Sequence, residues 1–328
     1  MAGEVSARIG HCFTPCRVVV FPVMRVALLF TDGVGVGPRH ADNPLLDGEF
    51  LLSQFSDGTG TVLPHGGARF DVDTTFGIAG RPQSASNQTA IFTGLRAPEL
   101  TGEHLLGYPN AALRKLLGEH SIVRKITAAA RTATFANAYP PSYLDALGLT
   151  RSPGGTTDFQ IPAKYLRRLK PSASTLAMSA GGVPFRTFDD ARDNRGLTHD
   201  IDGVAARKRA DVPLRTPDQA AEIFWRLSAD FTLFEHYLAD EAGHLQDRGA
   251  ALKAISTFDG FARAVIAARP PEAQVLICSD HGNVEDLSTR SHTTHPVAVL
   301  SFGPGQPGPL QTVADVGRAV LTLLEVPW

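Results

Sequence analysis

Cysteine is scarce. Cys12, Cys16 and Cys278 are the only three in 328 residues, too few for a disulfide framework, and Cys278 falls inside an apolar run with strand character. A reducing, cytoplasmic compartment is the expectation. Long apolar stretches are also missing. None reaches the roughly 18 residues of a membrane-spanning segment. The run from Arg17 to Val23 is interrupted by Pro22 and followed by Arg25, unlike the apolar core of a secretory signal. Nor does either charge dominate: 31 Lys and Arg against 33 Asp and Glu give a net charge of -2. The basic residues are scattered, so no nucleic-acid footprint is expected. With 43% hydrophobic and 20% charged residues, what is left is an ordinary globular chain with ample core and no predicted membrane contact.

The chain is organised around Val275–Val297. Val275-Leu276-Ile277-Cys278 reads as a buried strand, β-branched and too short for a helix. It runs into Ser279-Asp280-His281-Gly282-Asn283, and His292 follows a short loop later, before a second apolar run from Val297 to Leu300. Ligands of open parallel sheets collect outside the carboxyl ends of strands, and Asp and His are donors suited to Zn²⁺ or Mn²⁺. This stretch therefore reads as half of a metal site.

Three other places offer matching chemistry. The strand Arg25–Thr31 ends on Asp32-Gly33-Val34-Gly35-Val36-Gly37, whose alternating glycines do not meet the dinucleotide fingerprint. Asp32 stands where a strand-end carboxylate faces a ligand, although Asp before Gly is also a common turn. After a short strand near Ala68–Val72, Ser84 opens a helix that stops at Gly94. A hydroxyl beside the free N–H groups of a helix start suits a phosphate; a plain N-cap is the alternative. Ser86 and Thr89 offer further hydroxyls on the same helix. Finally, Phe231–Leu238 reads as a strand leading into Asp240, with His244 four residues on. That spacing turns both side chains to one point if a helical turn starts there.

Between these landmarks, helices are expected near Asn110–Gly118, from Thr216-Pro217 to about Leu227, from Gly249 to Ala268 and from Thr312 to Leu324, with a strand near Thr132–Ala138. Strands alternating with helices predict an α/β fold, a doubly wound, mainly parallel sheet sandwiched by helices. Residues 1–23 are expected to be a disordered N-terminal extension and 24–328 the domain that carries the metal site. The stretch from about 150 to 213, rich in Gly, Pro, Ser and charge, is expected to be an irregular, cap-like insertion. Its basic run Lys164–Lys170 is expected to be a solvated face.

Taken in order, Thr31-Asp32-Gly33, the Ser84 helix start, Asp240-x-x-x-His244, Ser279-Asp280-His281-Gly282-Asn283 and His292-Thr293-x-x-Pro296-Val297 resemble the alkaline phosphatase superfamily of binuclear metalloenzymes. They are most similar to its cofactor-independent phosphoglycerate mutase and phosphopentomutase branch. The resemblance implies two divalent ions, Mn²⁺ or Zn²⁺. Asp32, Asp280, His281 and the Ser84 oxygen would hold one, and Asp240, His244 and His292 the other. It also implies a small phosphate ester as substrate, Ser84 as nucleophile and a phospho-serine intermediate. The chain departs from that branch twice: Asn87-Gln88 replaces the usual Gly-His after the nucleophile, and the interval from Ser84 to Asp240 is too short for the large phosphotransferase domain. The Cys/Ser-x-Pro-x-Arg motif of sulfatases is absent. A phosphoric ester hydrolase is therefore expected, with a phosphomutase acting on a sugar phosphate, or a non-catalytic metal-binding protein, as the alternatives. Substrate-contacting residues and oligomeric state are not legible.

Overall fold

A computed structural model describes residues 24–149, 169–208 and 210–328. The expected N-terminal extension and the first part of the expected cap, with most of its basic run, lie outside these residues.

The first strand, β1 (Arg25–Thr31), alternates between two cores. Val26, Leu28 and Phe30 face one, Ala27 and Leu29 the other, and all five are buried. A strand covered on both faces needs an unbroken apolar run rather than an alternating one. The further elements in chain order are β2 (Ala68–Val72), α1 (Ser84–Thr93), α2 (Ala97–Thr101), α3 (Ala111–His120), α4 (Ile122–Ala128), β3 (Ala133–Phe135), β4 (Ala138–Tyr139), α5 (Pro141–Ala146), α6 (Ala173–Ala180), β5 (Arg186–Thr187), α7 (Phe188–Arg192), α8 (Pro217–Leu227), β6 (Phe231–His236), α9 (Leu238–Leu245), α10 (Arg248–Ala267), β7 (Ala273–Cys278), β8 (Val297–Phe302) and α11 (Ala314–Leu323).

Six strands form one sheet in the order β2-β8-β7-β1-β6-β3. β1 pairs in parallel with β6 and β7, and β3 in parallel with β6, whereas β8 runs antiparallel to both its neighbours, β7 and β2. β8 therefore begins at the edge where β1, β6 and β7 end. The loop 279–296 stays at that edge.

The layers on the two faces follow from the periodicity of their helices. On one face α1, α3, α4, α6 and α11 bury Ile91, Phe92, Leu113, Leu117, Ile122, Met178 and Val320. On the other, α8 and α10 bury Ile223, Phe224, Phe258, Phe261 and Val265. Each such side chain removed from water contributes roughly 1.5–3 kcal/mol. The expected start of α8 is present: Thr216 and Gln219 form a capping box and Pro217 takes the first turn. This doubly wound, mainly parallel sandwich is the fold expected from the sequence.

Two details differ. The apolar run expected as strand 231–238 stops at His236, and Leu238 already belongs to α9. The described part of the expected irregular cap holds α6, β5 and α7, and Ala173, Ala177 and Met178 of α6 sit in the main core. Small residues spaced for a helix face gave a weak hydrophobic signal there. Among the described residues, no helix is long and apolar enough to cross a membrane.

α1 is held close to α11 by Gly317: a Cβ built there would strike the Ile91 carbonyl oxygen and approach Gly94 N to 3.1 Å. Gly317→Ala is expected to push α11 off α1 and lower stability by about 1–3 kcal/mol, read as a lower denaturation midpoint in urea. An unchanged midpoint would refute this close-packing account.

Candidate metal centre

The candidate site is built on the edge where β1, β6 and β7 end. Past β1, the Asp32 N–H still donates to His236 O at 2.8 Å, after which Gly33 turns the chain with φ +71°. A Cβ on Gly33 would lie 2.5 Å from Asp240 Oδ1, so only glycine lets the β1 loop approach α9 this closely. The Gly33 and Val34 N–H groups donate to Asp280 Oδ1 at 3.4 Å and Ser279 Oγ at 2.9 Å. These bonds tie the loop after β1 to the loop after β7.

One cluster gathers Asp32, Ser84, Asp280 and His281. His281 Nε2 lies 2.8 Å from Ser84 Oγ, 3.3 Å from Asp32 Oδ1 and 3.4 Å from Asp280 Oδ2. Ser84 is the first residue of α1, but the N-cap is Gln83, which makes no side-chain cap bond. The Ser84 hydroxyl is thus aimed across the site instead of capping its own helix. Ser86 and Thr89 use their hydroxyls on the backbone carbonyls of Gln83 and Ala85. Gln88, one turn into α1, donates through Nε2 to Asp32 Oδ2 at 3.1 Å and to Asp280 Oδ2 at 3.0 Å.

The second cluster gathers Asp240, His244 and His292. Because α9 starts at Leu238, Asp240 and His244 lie one turn apart, with His244 Nε2 3.1 Å from Asp240 Oδ2. His292 Nε2 comes within 3.2 Å of His244 Nε2 and 3.7 Å of Asp240 Oδ1. The Nδ1 atoms of both histidines face backbone oxygens, Arg290 O at 2.7 Å and Pro82 O at 2.8 Å. Carbonyls accept only, so Nδ1 carries the proton and a neutral ring turns its Nε2 lone pair inward. The His281 and His292 rings stack between the clusters with centroids 3.7 Å apart.

Charge is concentrated here. Burial, followed by the neighbouring Asp280 and Asp240, pushes the Asp32 carboxyl well above its usual range. Asp240 is also pushed up by burial, but the His244 hydrogen bond leads a larger set of stabilising contacts and its pKa falls. The same contact raises His244 to about 9. Ligand atoms of Asp32, Asp280 and His281 lie within 4.8 Å of one another, as do those of Asp240, His281 and His292. Asp32 Oδ1 and His281 Nδ1 are buried without a hydrogen-bond partner. Carboxylates, inward-facing imidazole nitrogens and a hydroxyl in two adjoining groups fit a pair of divalent cations.

The Metalloenzyme superfamily family model matches residues 215–325. That match spans about a third of the chain. It is 40% identical to a phosphopentomutase of Methylobacterium nodulans over 91 residues, 26% of this chain and 22% of that protein. It is 33% identical to a 2,3-bisphosphoglycerate-independent phosphoglycerate mutase of Desulforudis audaxviator over 111 residues, 30% of this chain and 21% of that protein. The aligned stretches thus cover about a fifth of these relatives' lengths. In fold, the chain is similar to the alkaline phosphatase of the Antarctic bacterium TAB5, with a TM-score of 0.54, 16% identity and coverage of 93% of this chain and 99% of that one. An alkaline phosphatase, a phosphopentomutase and a phosphoglycerate mutase thus all stand among the similar proteins.

Sequence reasoning missed several residues that support the candidate metal site. Gln88 stands where the departure from Gly-His was noted. Asn283 donates through Nδ2 to Asp240 Oδ1 at 2.6 Å. Glu285 is fully buried between the loop after β1 and the 279–296 loop, whereas Asp286, Asp71 and Asp73 cap Ser288, pair with Arg69 and cap Thr75. His295 contacts Glu285 at 3.0 Å. His236 is buried against Thr31 and Phe258. No sequence spacing marks an amide or carboxylate whose partners come from other segments.

Glu235, on β6 beneath Asp32, is another. It accepts from Ser174 Oγ at 2.9 Å and from Tyr139 Oη at 3.5 Å. Burial pushes its pKa up to about 7 despite these bonds, and Asp280 adds to the rise. Between the ordinary carboxylate value and 7, the folded chain holds a proton that the unfolded chain has lost, so stability falls as pH rises through that window. In chelator-treated protein, the wild type is expected to lose up to about 3 kcal/mol relative to Glu235→Gln between pH 5 and pH 8. Urea unfolding at both pH values measures this, and a pH-independent difference would contradict it.

Proposed function

We propose that the chain is a two-metal phosphoric ester hydrolase acting on small-molecule phosphate esters in the cytoplasm, with Ser84 as nucleophile. The observation that carries the reading is the Ser84 hydroxyl, freed from helix capping and held 2.8 Å from His281 Nε2 between Asp32 and Asp280. Asp32, Asp280, His281 and Ser84 would hold one ion, Mn²⁺ or Zn²⁺, and Asp240, His244 and His292 the other. When bound, such ions lower the hydroxyl pKa and offset phosphoryl charge.

The chain's own residues supply the rest. The start of α1 presents backbone N–H groups beside Ser84, a favourable seat for phosphoryl oxygens. Gln88 holds Asp32 and Asp280 to one shared amide, and Asn283 fixes Asp240. Ser84 Oγ gives up its proton and attacks phosphorus, the bond to the leaving alcohol oxygen breaks, and that oxygen takes up a proton as the alcohol departs. A water oxygen then attacks the phospho-serine, the bond to Oγ breaks and inorganic phosphate leaves. The phosphopentomutase match supports a second reading, in which a hydroxyl of the retained sugar accepts the phosphoryl group in place of water.

Ser84→Ala is expected to lower turnover of a phosphomonoester panel by at least about 10³-fold while divalent ions remain bound. Chelation should abolish wild-type activity and Mn²⁺ or Zn²⁺ restore it. Full activity in Ser84→Ala would overturn the assignment of the nucleophile. Phosphate moved within a sugar phosphate without release would establish the mutase instead, and metal binding with no turnover would leave a non-catalytic metal protein.

A further inference from the structure

Glu285 occupies a position no ligand requires. Its side chain is fully buried, and it is neither a ligand candidate nor near Ser84 in sequence. Four donors from three segments converge on it. The Gly35 and Asn283 N–H groups donate to Oε2, each at 2.8 Å. The Thr293 hydroxyl donates to Oε1, and His295 Nδ1 lies 3.0 Å from the same oxygen. The glycines around it leave room for nothing else: a Cβ on Gly35 or Gly282 would collide with its carboxylate, and one on Gly37 would come within 2.7 Å of its Cγ.

Each of those segments carries candidate ligands. Gly35 follows Asp32, Asn283 follows Asp280 and His281, and Thr293 follows His292. Asn283, anchored through its backbone by Glu285, grips Asp240 with its side chain. These stretches also meet directly, with Val284 N donating to Gly33 O at 2.9 Å, Thr293 N to Gly282 O at 2.9 Å and Val36 N to Pro296 O at 2.7 Å. These bonds align neighbours in pairs. Among the described residues, the Glu285 carboxylate joins the loop after β1 to both ends of the 279–296 loop at one point.

We propose that Glu285 is a positioning residue that sets the spacing between the two ligand clusters, acting as a hydrogen-bond acceptor where the loop after β1 meets the two ends of the 279–296 loop. The inference rests on the two-metal reading above. A carboxylate is suited to the place because its two oxygens can accept all four donors. Glutamine can substitute: its carbonyl oxygen can accept from Gly35 and Asn283 while its amide donates to Thr293 Oγ and to a neutral His295. Leucine cannot, and it leaves two buried N–H groups without acceptors.

The test measures Mn²⁺ binding by titration and follows the paramagnetic resonance of the bound pair, whose magnetic coupling reports ion spacing. Glu285→Leu is expected to fold, to weaken Mn²⁺ affinity by about 10–100-fold, the range for groups that orient ligands, and to lose the coupled signal. Glu285→Gln should recover the coupled signal and most of the affinity. Thr293→Val removes one donor and serves where Glu285→Leu is unfolded; about a tenfold loss is expected. Asp259→Asn, which disturbs the Leu51 N–H contact and the Arg263 pair on α10, controls for general destabilisation and should leave the signal intact. Wild-type coupling in Glu285→Leu, or wild-type affinity in Thr293→Val, would overturn the role of Glu285. Failure of the wild-type chain to bind Mn²⁺ at all would overturn the two-metal reading beneath it.

Discussion

Asp32 and Asp280 lie side by side at the ends of adjacent strands, both buried, and their mutual repulsion is the constraint around which the rest of the site is arranged. Two carboxylates taken out of water this close together are costly unless something positive or donating stands between them. The polypeptide supplies the Gln88 amide, which donates to both at about hydrogen-bond length, the Gly33 N–H and the His281 ring. These offset part of the charge and leave Asp32 Oδ1 without a hydrogen-bond donor. The unsatisfied remainder is what a divalent cation would meet. The site is best understood as a folded arrangement whose electrostatics are completed by a ligand.

The topology makes that crowding possible. In an all-parallel sheet, the segment after β7 would have to cross the sheet before the next strand began. Here β8 runs antiparallel beside β7, so the loop between them never leaves the rim and can place Asp280, His281 and His292 on it together. α9 begins immediately after β6 and brings Asp240 and His244 to the same rim. The family match covers residues 215–325 and so contains the whole second cluster with Asp280 and His281. Asp32 and Ser84 come from outside it, delivered by β1 and α1 through sheet order and helix packing.

Much of this was legible in the sequence because the signals were local. The β1 and β7 runs are apolar and buried on both faces. Thr216-Pro217 is a helix start with a physical mechanism, and the Asp240–His244 spacing is one helical turn. The Ser84 helix start was legible too, but not whether its hydroxyl would cap or cross. That depended on Gln83 becoming the N-cap and on His281, nearly two hundred residues away, reaching it. α6 was hidden for the opposite reason. Ala173, Ala177 and Met178 form its buried face, and small side chains give little contrast with the Ser and Thr around them, although the packing they permit is close.

The supporting groups were invisible for a more general reason. Glu285 in isolation is a charged residue in a polar loop, the kind expected at the surface. It is buried because its four donors come together only once the loop after β1 has met the two ends of the 279–296 loop. Burial alone would push this carboxyl up; the bonds from His295, Thr293 and the Gly35 N–H together outweigh that and keep it below its ordinary value. The residue is stable inside because the loops are assembled, and the loops lie as they do around its two oxygens. That mutual dependence follows from the non-local hydrogen bonding of buried polar groups. Sequence patterns therefore reveal candidate ligands more readily than the residues that hold them in register.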